Sequence, residues 1–181
     1  MRTNFFYAVI GAPRTGKSTF LKSFCKKYIQ KTSKKCFWFT HSESENVDFA
    51  KKISTTKYET KILTDLLKSL KNCLIVIDDY QIGNLCQSDG KIIRDLAGVR
   101  GHNNIDLCIV SHSVNGLPPK IPNLIEFFTF FRPTEFIFEK AKKPLIFENK
   151  AVFDKFKALK KCDFTKEILT ENKHFFTIKA I

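Results

Sequence analysis

Glycine and proline are scarce in this chain of 181 residues, at seven and six, which excludes a collagen-like repeat. No internal repeat or low-complexity linker is present, which excludes solenoids and tethered modules. No apolar run approaches the ~20 residues that a membrane-spanning helix needs. There is no Cys-x-x-Cys pair, and the histidines at 41, 102, 112 and 174 make no ligand spacing with the cysteines at 25, 36, 73, 86, 108 and 162. That pattern speaks against zinc and against a disulfide framework, and the cysteines read as reduced core thiols. Arginine is rare too, at positions 2, 14, 94, 100 and 132 only.

What the chain does have is lysine and phenylalanine. Lys and Arg number 31 against 18 Asp and Glu, for a formal charge of +13, and there are 19 phenylalanines. A polyanionic partner is one reading of that charge. A compositional preference for Lys and Phe is the other. With 43% hydrophobic and 27% charged residues, the length suits one globular domain, residues 1–181, with a real core. Residues 1–12 carry Arg2, an apolar run and Ala12, a faint likeness to a secretion signal. The motif that follows at once makes them a strand instead, in a cytosolic protein.

That motif is Gly11-Ala12-Pro13-Arg14-Thr15-Gly16-Lys17-Ser18-Thr19, a complete phosphate-binding loop of the form G-x-x-x-x-G-K-[ST]. Gly11 and Gly16, lacking Cβ, let the backbone take positive φ and approach a phosphate. Successive N–H groups form an anion cradle. Lys17 reaches the β- and γ-phosphates, and the Ser18 hydroxyl suits Mg²⁺. The preceding run at 5–10 reads as a buried strand. The following residues 17–30 place Phe20, Leu21, Phe24, Cys25, Tyr28 and Ile29 at helical spacing. Strand, loop, helix is the order the motif requires, and it implies bound nucleotide triphosphate, with ATP and Mg²⁺ as cofactors.

Strands are expected at 36–40, 73–77, 106–110 and 124–131, with a late edge strand at 174–181. Helices are expected at 46–53, 60–70, 91–97 (closed by Gly98) and 150–161, the last with Val152, Phe153, Phe156 and Leu159 inward. A turn is expected at 87–90, and a short helix or loop at 136–142. Alternating strands and helices predict an α/β, three-layer P-loop NTPase fold with a mainly parallel central sheet. Its core spans about 5–132, and the extension 133–181 is a helix and an edge strand.

The strand at 73–77 runs into Asp78-Asp79. Ligands of open α/β sheets sit at the carboxyl ends of strands, so both acids point to the phosphate loop's side. One acid there holds the Mg²⁺ water shell, and the other orients or deprotonates a water. His112 follows the strand at 106–110, where a polar residue senses a γ-phosphate; an ordinary loop histidine reads the same way.

Leu74-Ile75-Val76-Ile77-Asp78-Asp79, then Arg100-Gly101-His102-Asn103-Asn104-Ile105, Ser111-His112 and Leu117-Pro118 together resemble the viral genome-packaging ATPases of the FtsK–HerA superfamily. The similarity is to the branch of poxviruses, giant viruses and membrane-containing icosahedral viruses, and it covers about residues 5–132. It implies a RecA-like, ASCE-type ATPase that moves double-stranded DNA into a capsid, as a homo-oligomeric ring docked on capsid or membrane-associated vertex proteins. The implied location is host cytoplasm or virion. By position, Lys17 and Ser18 would hold phosphates and Mg²⁺, and Asp78 would be the metal-water carboxylate. Asp79 stands where many relatives carry a catalytic Glu, and His112 where they carry a polar sensor, often Gln. Arg100, or failing it Arg94, would be the arginine finger reaching a neighbouring subunit. Another DNA-handling or phage assembly/export ATPase of the superfamily, a monomeric P-loop kinase and a non-catalytic nucleotide-binding module are the alternatives. Strand order separates them: the motor needs the strand ending at Val110 between the loop strand and the Asp78 strand, whereas a simple kinase-like sheet puts those two side by side.

Overall fold

The computed structural model describes residues 4–79, 90–113, 116–118, 120–132 and 150–179. The turn expected at 87–89, the element at 136–142, Cys86, the side chain of Phe153 and the last two residues of the edge strand lie outside them.

Seven strands form one sheet in the order β3-β2-β4-β5-β1-β6-β7. They are β1 (Phe6–Ile10), β2 (Lys35–Thr40), β3 (Lys51–Ser54), β4 (Cys73–Ile77), β5 (Ile105–Ser111), β6 (Phe127–Phe131) and β7 (Phe175–Lys179). All neighbours are parallel except β6 and β7. The helices are α1 (Lys17–Thr32), α2 (Thr60–Ser69), α3 (Lys91–Val99) and α4 (Lys150–Ala158). A 3-10 turn, Pro122–Leu124, precedes β6, where the sequence reads as strand from 124 onward. The first turn of a strand there is pre-empted by Pro122, whose fixed φ suits a helical turn.

The sheet has helices on both faces because its strands are apolar on both. Phe6, Ala8 and Ile10 face one cluster with Leu63 and Leu67 of α2 and Ile93 and Leu96 of α3. Tyr7 and Val9 face the other, with Leu21, Cys25 and Tyr28 of α1. Phe156 of α4 and Leu159, just past its end, are buried. Cys25, Cys36, Cys73, Cys108 and Cys162 are free and buried.

Two local readings are corrected. Residues 46–53 do not form a helix; the chain turns and then pairs Lys51–Ser54 in parallel with Phe37 to Thr40. A helix that short is marginal alone, whereas the open edge of β2 satisfies the backbone directly. Lys51 and Lys52 are exposed on that edge, which blunts it against further pairing. Gly98 does not end α3, which continues to Val99; a Cβ at Gly98 would meet nothing within 4 Å.

At the amino-terminal edge of the strands lies a buried ion pair. Asp106 accepts from Asn4 N, from the Tyr28 hydroxyl (2.7 Å) and from Lys34 Nζ (2.7 Å). Every oxygen of this buried carboxylate has a partner, which is what makes its burial tolerable.

Candidate nucleotide site

Residues 11–19 leave the carboxyl end of β1 and enter α1, with Gly11 N bonded to Ser111 O and Ala12 N to Arg132 O. The loop thus grows from the middle of the sheet, held between β5 and β6. Gly16 takes φ 98°, a left-handed conformation that favours glycine, and serves as the N-cap of α1 without a side-chain cap. The first N–H groups of α1 are therefore available to an anion. Gly11 is glycine for a different reason than the one the motif suggests. Its φ is not positive; a Cβ there would stand 2.5 Å from Phe131 Cβ. It lets β1 and β6 approach rather than bending the loop.

Lys17 is buried, and its Nζ donates to Ala12 O at 2.8 Å. Thr15 is buried and bonds the same carbonyl, while Pro13, Arg14 and Thr19 are exposed and Ser18 is half-buried. Arg14 has φ 59°, a second left-handed residue in the cradle. Burial lowers the Lys17 ammonium to about 8, with Asp79 and Asp78 opposing that shift.

Asp78 and Asp79 stand at the end of β4, with β5 between them and the loop strand. Asp78 is 4% exposed, and among the described residues its Oδ1 has no hydrogen-bond partner. Burial raises its carboxyl to about 7, helped by Asp79 and Glu45 and opposed by Lys17. A buried acid with an unused oxygen beside a lysine cradle fits a cation or its water shell. Asp79 sits at φ 50°, a left-handed conformation. Its Oδ1 is 3.3 Å from His112 Nε2 and its Oδ2 is 3.8 Å from His41 Nδ1.

His112, at the tip of β5, joins the two halves. Its Nδ1 lies 3.4 Å from Lys17 Nζ, on the far side of the ring from Asp79. An ammonium donating to Nδ1 leaves the proton on Nε2, facing the carboxylate. Burial and Lys17 lower the His112 pKa, with Asp79 pulling the other way. Lys17, Asp78, Asp79 and His112 therefore converge. His41 was not among the residues singled out from the sequence; it follows β2, and only the order β2-β4 brings it beside Asp79. Glu45, pairing with Lys22 of α1 at 2.5 Å, is a second addition.

Arg100 is not at this site. Its Nε donates to Asn4 O (2.9 Å) and its guanidinium to Ala97 O and to Glu126 Oε1 (2.8 Å). Those partners mark the amino-terminal edge of the strands, opposite the phosphate loop. Arg94 lies six residues earlier on α3, half-buried. The exposed arginines beside the loop are Arg14 and Arg132.

The sequence matches no family model and no curated protein. The fold, by contrast, is shared with solved structures. The genome packaging NTPase B204 of Sulfolobus turreted icosahedral virus 2, in complex with sulfate, superposes with a TM-score of 0.68 at 15% identity, over 87% of this chain and 87% of that one. The DNA-packaging ATPase B204 of Sulfolobus turreted icosahedral virus gives 0.67 at 17% identity, over 89% and 90%. The N-terminal domain of zonular occludens toxin from Neisseria meningitidis gives 0.51 at 14% identity, over 72% and 78%. At such identities the likeness carries the fold: a mostly parallel P-loop NTPase sheet with helices on both faces.

Proposed function

We propose that this chain is an ATP-hydrolysing motor that moves viral double-stranded DNA into a capsid. The observation that carries the reading is the interposed strand β5, whose tip residue His112 spans Lys17 and Asp79. This is the arrangement expected of the motor and not of a simple kinase-like sheet. The B204 structures, described as a genome packaging NTPase and crystallised with AMP or ATP-gammaS, support it from the side of the fold.

In this reading Lys17 exchanges Ala12 O for the β- and γ-phosphates, and the amides of residues 11–19 cradle them. Ser18 and Asp78 would hold Mg²⁺, which supplies positive charge to the phosphate oxygens when bound. Asp78 Oδ1 is the unused buried oxygen that suits that role. Asp79 orients the attacking water and accepts its proton, and His112 holds Asp79 in place while facing the γ-phosphate. The formal charge of +13 favours a sequence-independent hold on DNA phosphates. A ring of copies, docked on a capsid or vertex protein in host cytoplasm or virion, completes the motor. Among the described residues no helix is long and apolar enough to cross a membrane.

The second reading is another DNA-handling or export ATPase of the same superfamily. The fold likeness to zonular occludens toxin, and to EssC of Geobacillus thermodenitrificans at a TM-score of 0.52, favours it. The test is ATP hydrolysis with and without double-stranded DNA across a salt series, with oligomeric state followed alongside. DNA stimulation that fades with salt, in a ring, is the expected result. Turnover indifferent to DNA in an assembled ring would overturn DNA translocation and leave the second reading.

A further inference from the structure

The segment 162–174 lies between α4 and β7, outside the phosphate loop motif. Phe175, the first residue of β7, pairs with Phe131, the last of β6. The segment therefore stands at the carboxyl edge of the strands, beside the cradle. It touches the cradle directly: a Cβ on Gly16 would lie 2.7 Å from Phe164 Cζ and 2.9 Å from a Leu169 methyl.

The segment is braced by its own polar groups. The Asp163 side chain accepts from Thr165 N and Oγ1, and Asp163 N donates to Glu167 Oε1. Glu167 also pairs with Lys173, and its Oε1 is 3.1 Å from His174 Nε2. Lys173 Nζ holds the Glu167 carboxyl down, to about 2. Thr170 N donates to His174 Nδ1, and His174 N donates back to Thr170 O. Because Nδ1 accepts, Nε2 carries the proton. Cys162, Glu167 and His174 lie within 4.8 Å of one another, but a protonated Nε2 offers no lone pair to a metal ion.

On this rigid support an aromatic ring is left half in solvent. Phe164 is 50% exposed, although its tip rests on the phosphate loop. An open cleft of about 540 Å³ adjoins it, lined by Phe164, Thr165, Ile168, Thr170 and Lys173 among others. A nucleotide whose phosphates fill the cradle carries its base one ribose away, on the outer side of the helix start. An exposed apolar ring with a few polar neighbours is the form such a pocket takes.

We infer that the segment 162–174 is the nucleobase platform, and that Phe164 stacks on the base of the bound nucleotide. This rests on reading residues 11–19 as the phosphate cradle. Asp163 and Glu167, the carboxylates nearest Phe164, are engaged within the segment, so recognition by Phe164 is through the π-face and tolerates either purine.

The experiment titrates the full chain with ATP and with inorganic tripolyphosphate, each with Mg²⁺, by calorimetry. Phe164→Ala is expected to weaken ATP about tenfold or more and to leave tripolyphosphate within about twofold. Phe164→Trp is expected to keep wild-type ATP affinity, with indole fluorescence quenched by ATP but not by tripolyphosphate. ATP bound equally by wild type and Phe164→Ala would overturn the platform. So would equal losses for both ligands, which would mean that Phe164 only shapes the loop. A wild type that binds neither ligand would overturn the cradle reading itself, a result distinct from the other two.

Discussion

His112 and Asp79 face each other across 3.3 Å at the tips of adjacent strands, and the other nitrogen of His112 faces Lys17 at 3.4 Å. In the proposed mechanism one imidazole thus connects Lys17, the group assigned to the phosphates, to Asp79, the acid assigned to the water. Its removal separates binding from chemistry. His112→Ala is expected to lower turnover about 10- to 100-fold and to change affinity for a non-hydrolysable ATP analogue by less than about threefold. Steady-state ATPase assays beside analogue titrations read both. A variant that hydrolyses at the wild-type rate would remove His112 from the mechanism.

Lys17→Ala should abolish hydrolysis and weaken tripolyphosphate binding together, because the loop loses its one buried cation. The same change should leave the melting temperature of the free chain unchanged or raised. Burial already disfavours the Lys17 ammonium, so the folded state is relieved of it. Unchanged turnover in this variant would be incompatible with the phosphate-loop reading.

The Asp78 carboxyl titrates at about 7 in the folded chain against 3.8 for a free one. The folded state holds this proton more tightly than the unfolded state does. The corresponding stability is full below about pH 4 and is lost as pH rises through 7. Asp78→Asn has no proton to lose. In EDTA, the variant's melting temperature should pull ahead of wild type progressively between about pH 4 and 7 and level off above that. A gap independent of pH would mean that Asp78 is charged throughout.

Arg100 ties Asn4, Ala97 and Glu126 together at the edge away from the loop. Arg100→Ala should therefore cost about 1–3 kcal/mol of stability and spare turnover in assembled, folded oligomers. Chemical denaturation and ATPase measurements separate the two effects. Lost turnover with stability and nucleotide binding intact would return Arg100 to the role of a finger.

Asp106→Ala should be the most damaging of the single changes away from the site, at about 3–5 kcal/mol, because it strands Lys34 in a dry interior. Asp106→Asn keeps the acceptor oxygen for Tyr28 or Lys34 and should cost less. Equal urea midpoints for the two variants would argue against the buried charge as the cause.

Much of this was legible in the chain. The phosphate loop, the acid pair and the tip of β5 each carry their chemistry within a few residues, and the parallel sheet follows from strands apolar on both faces. What depends on strand order was not legible. His41 becomes a neighbour of Asp79 only because β2 lies beside β4. Gly11 matches the motif, yet what demands glycine is Phe131, 120 positions away. Residues 46–53 carried apolar spacing for a helix, but the open edge of β2 decided their fate. Arg100 reads from the sequence as a finger for a neighbouring subunit, and its partners Asn4 and Glu126 come from two distant segments.

The position of β1 also bears on synthesis. Its two partners in the sheet are β5 and β6, ending at Ser111 and Phe131. A ribosome makes the loop strand before either of its neighbours, with β2, β3 and β4 in between. Strands β2, β3 and β4 can pair meanwhile, within residues 35–77. Until β5 and β6 follow, β1 waits as an unpaired apolar segment, the condition in which nascent chains aggregate or recruit chaperones. Nucleotide cannot template the early steps, since its cradle is tethered to Ser111 and Arg132 and takes shape only once both have emerged.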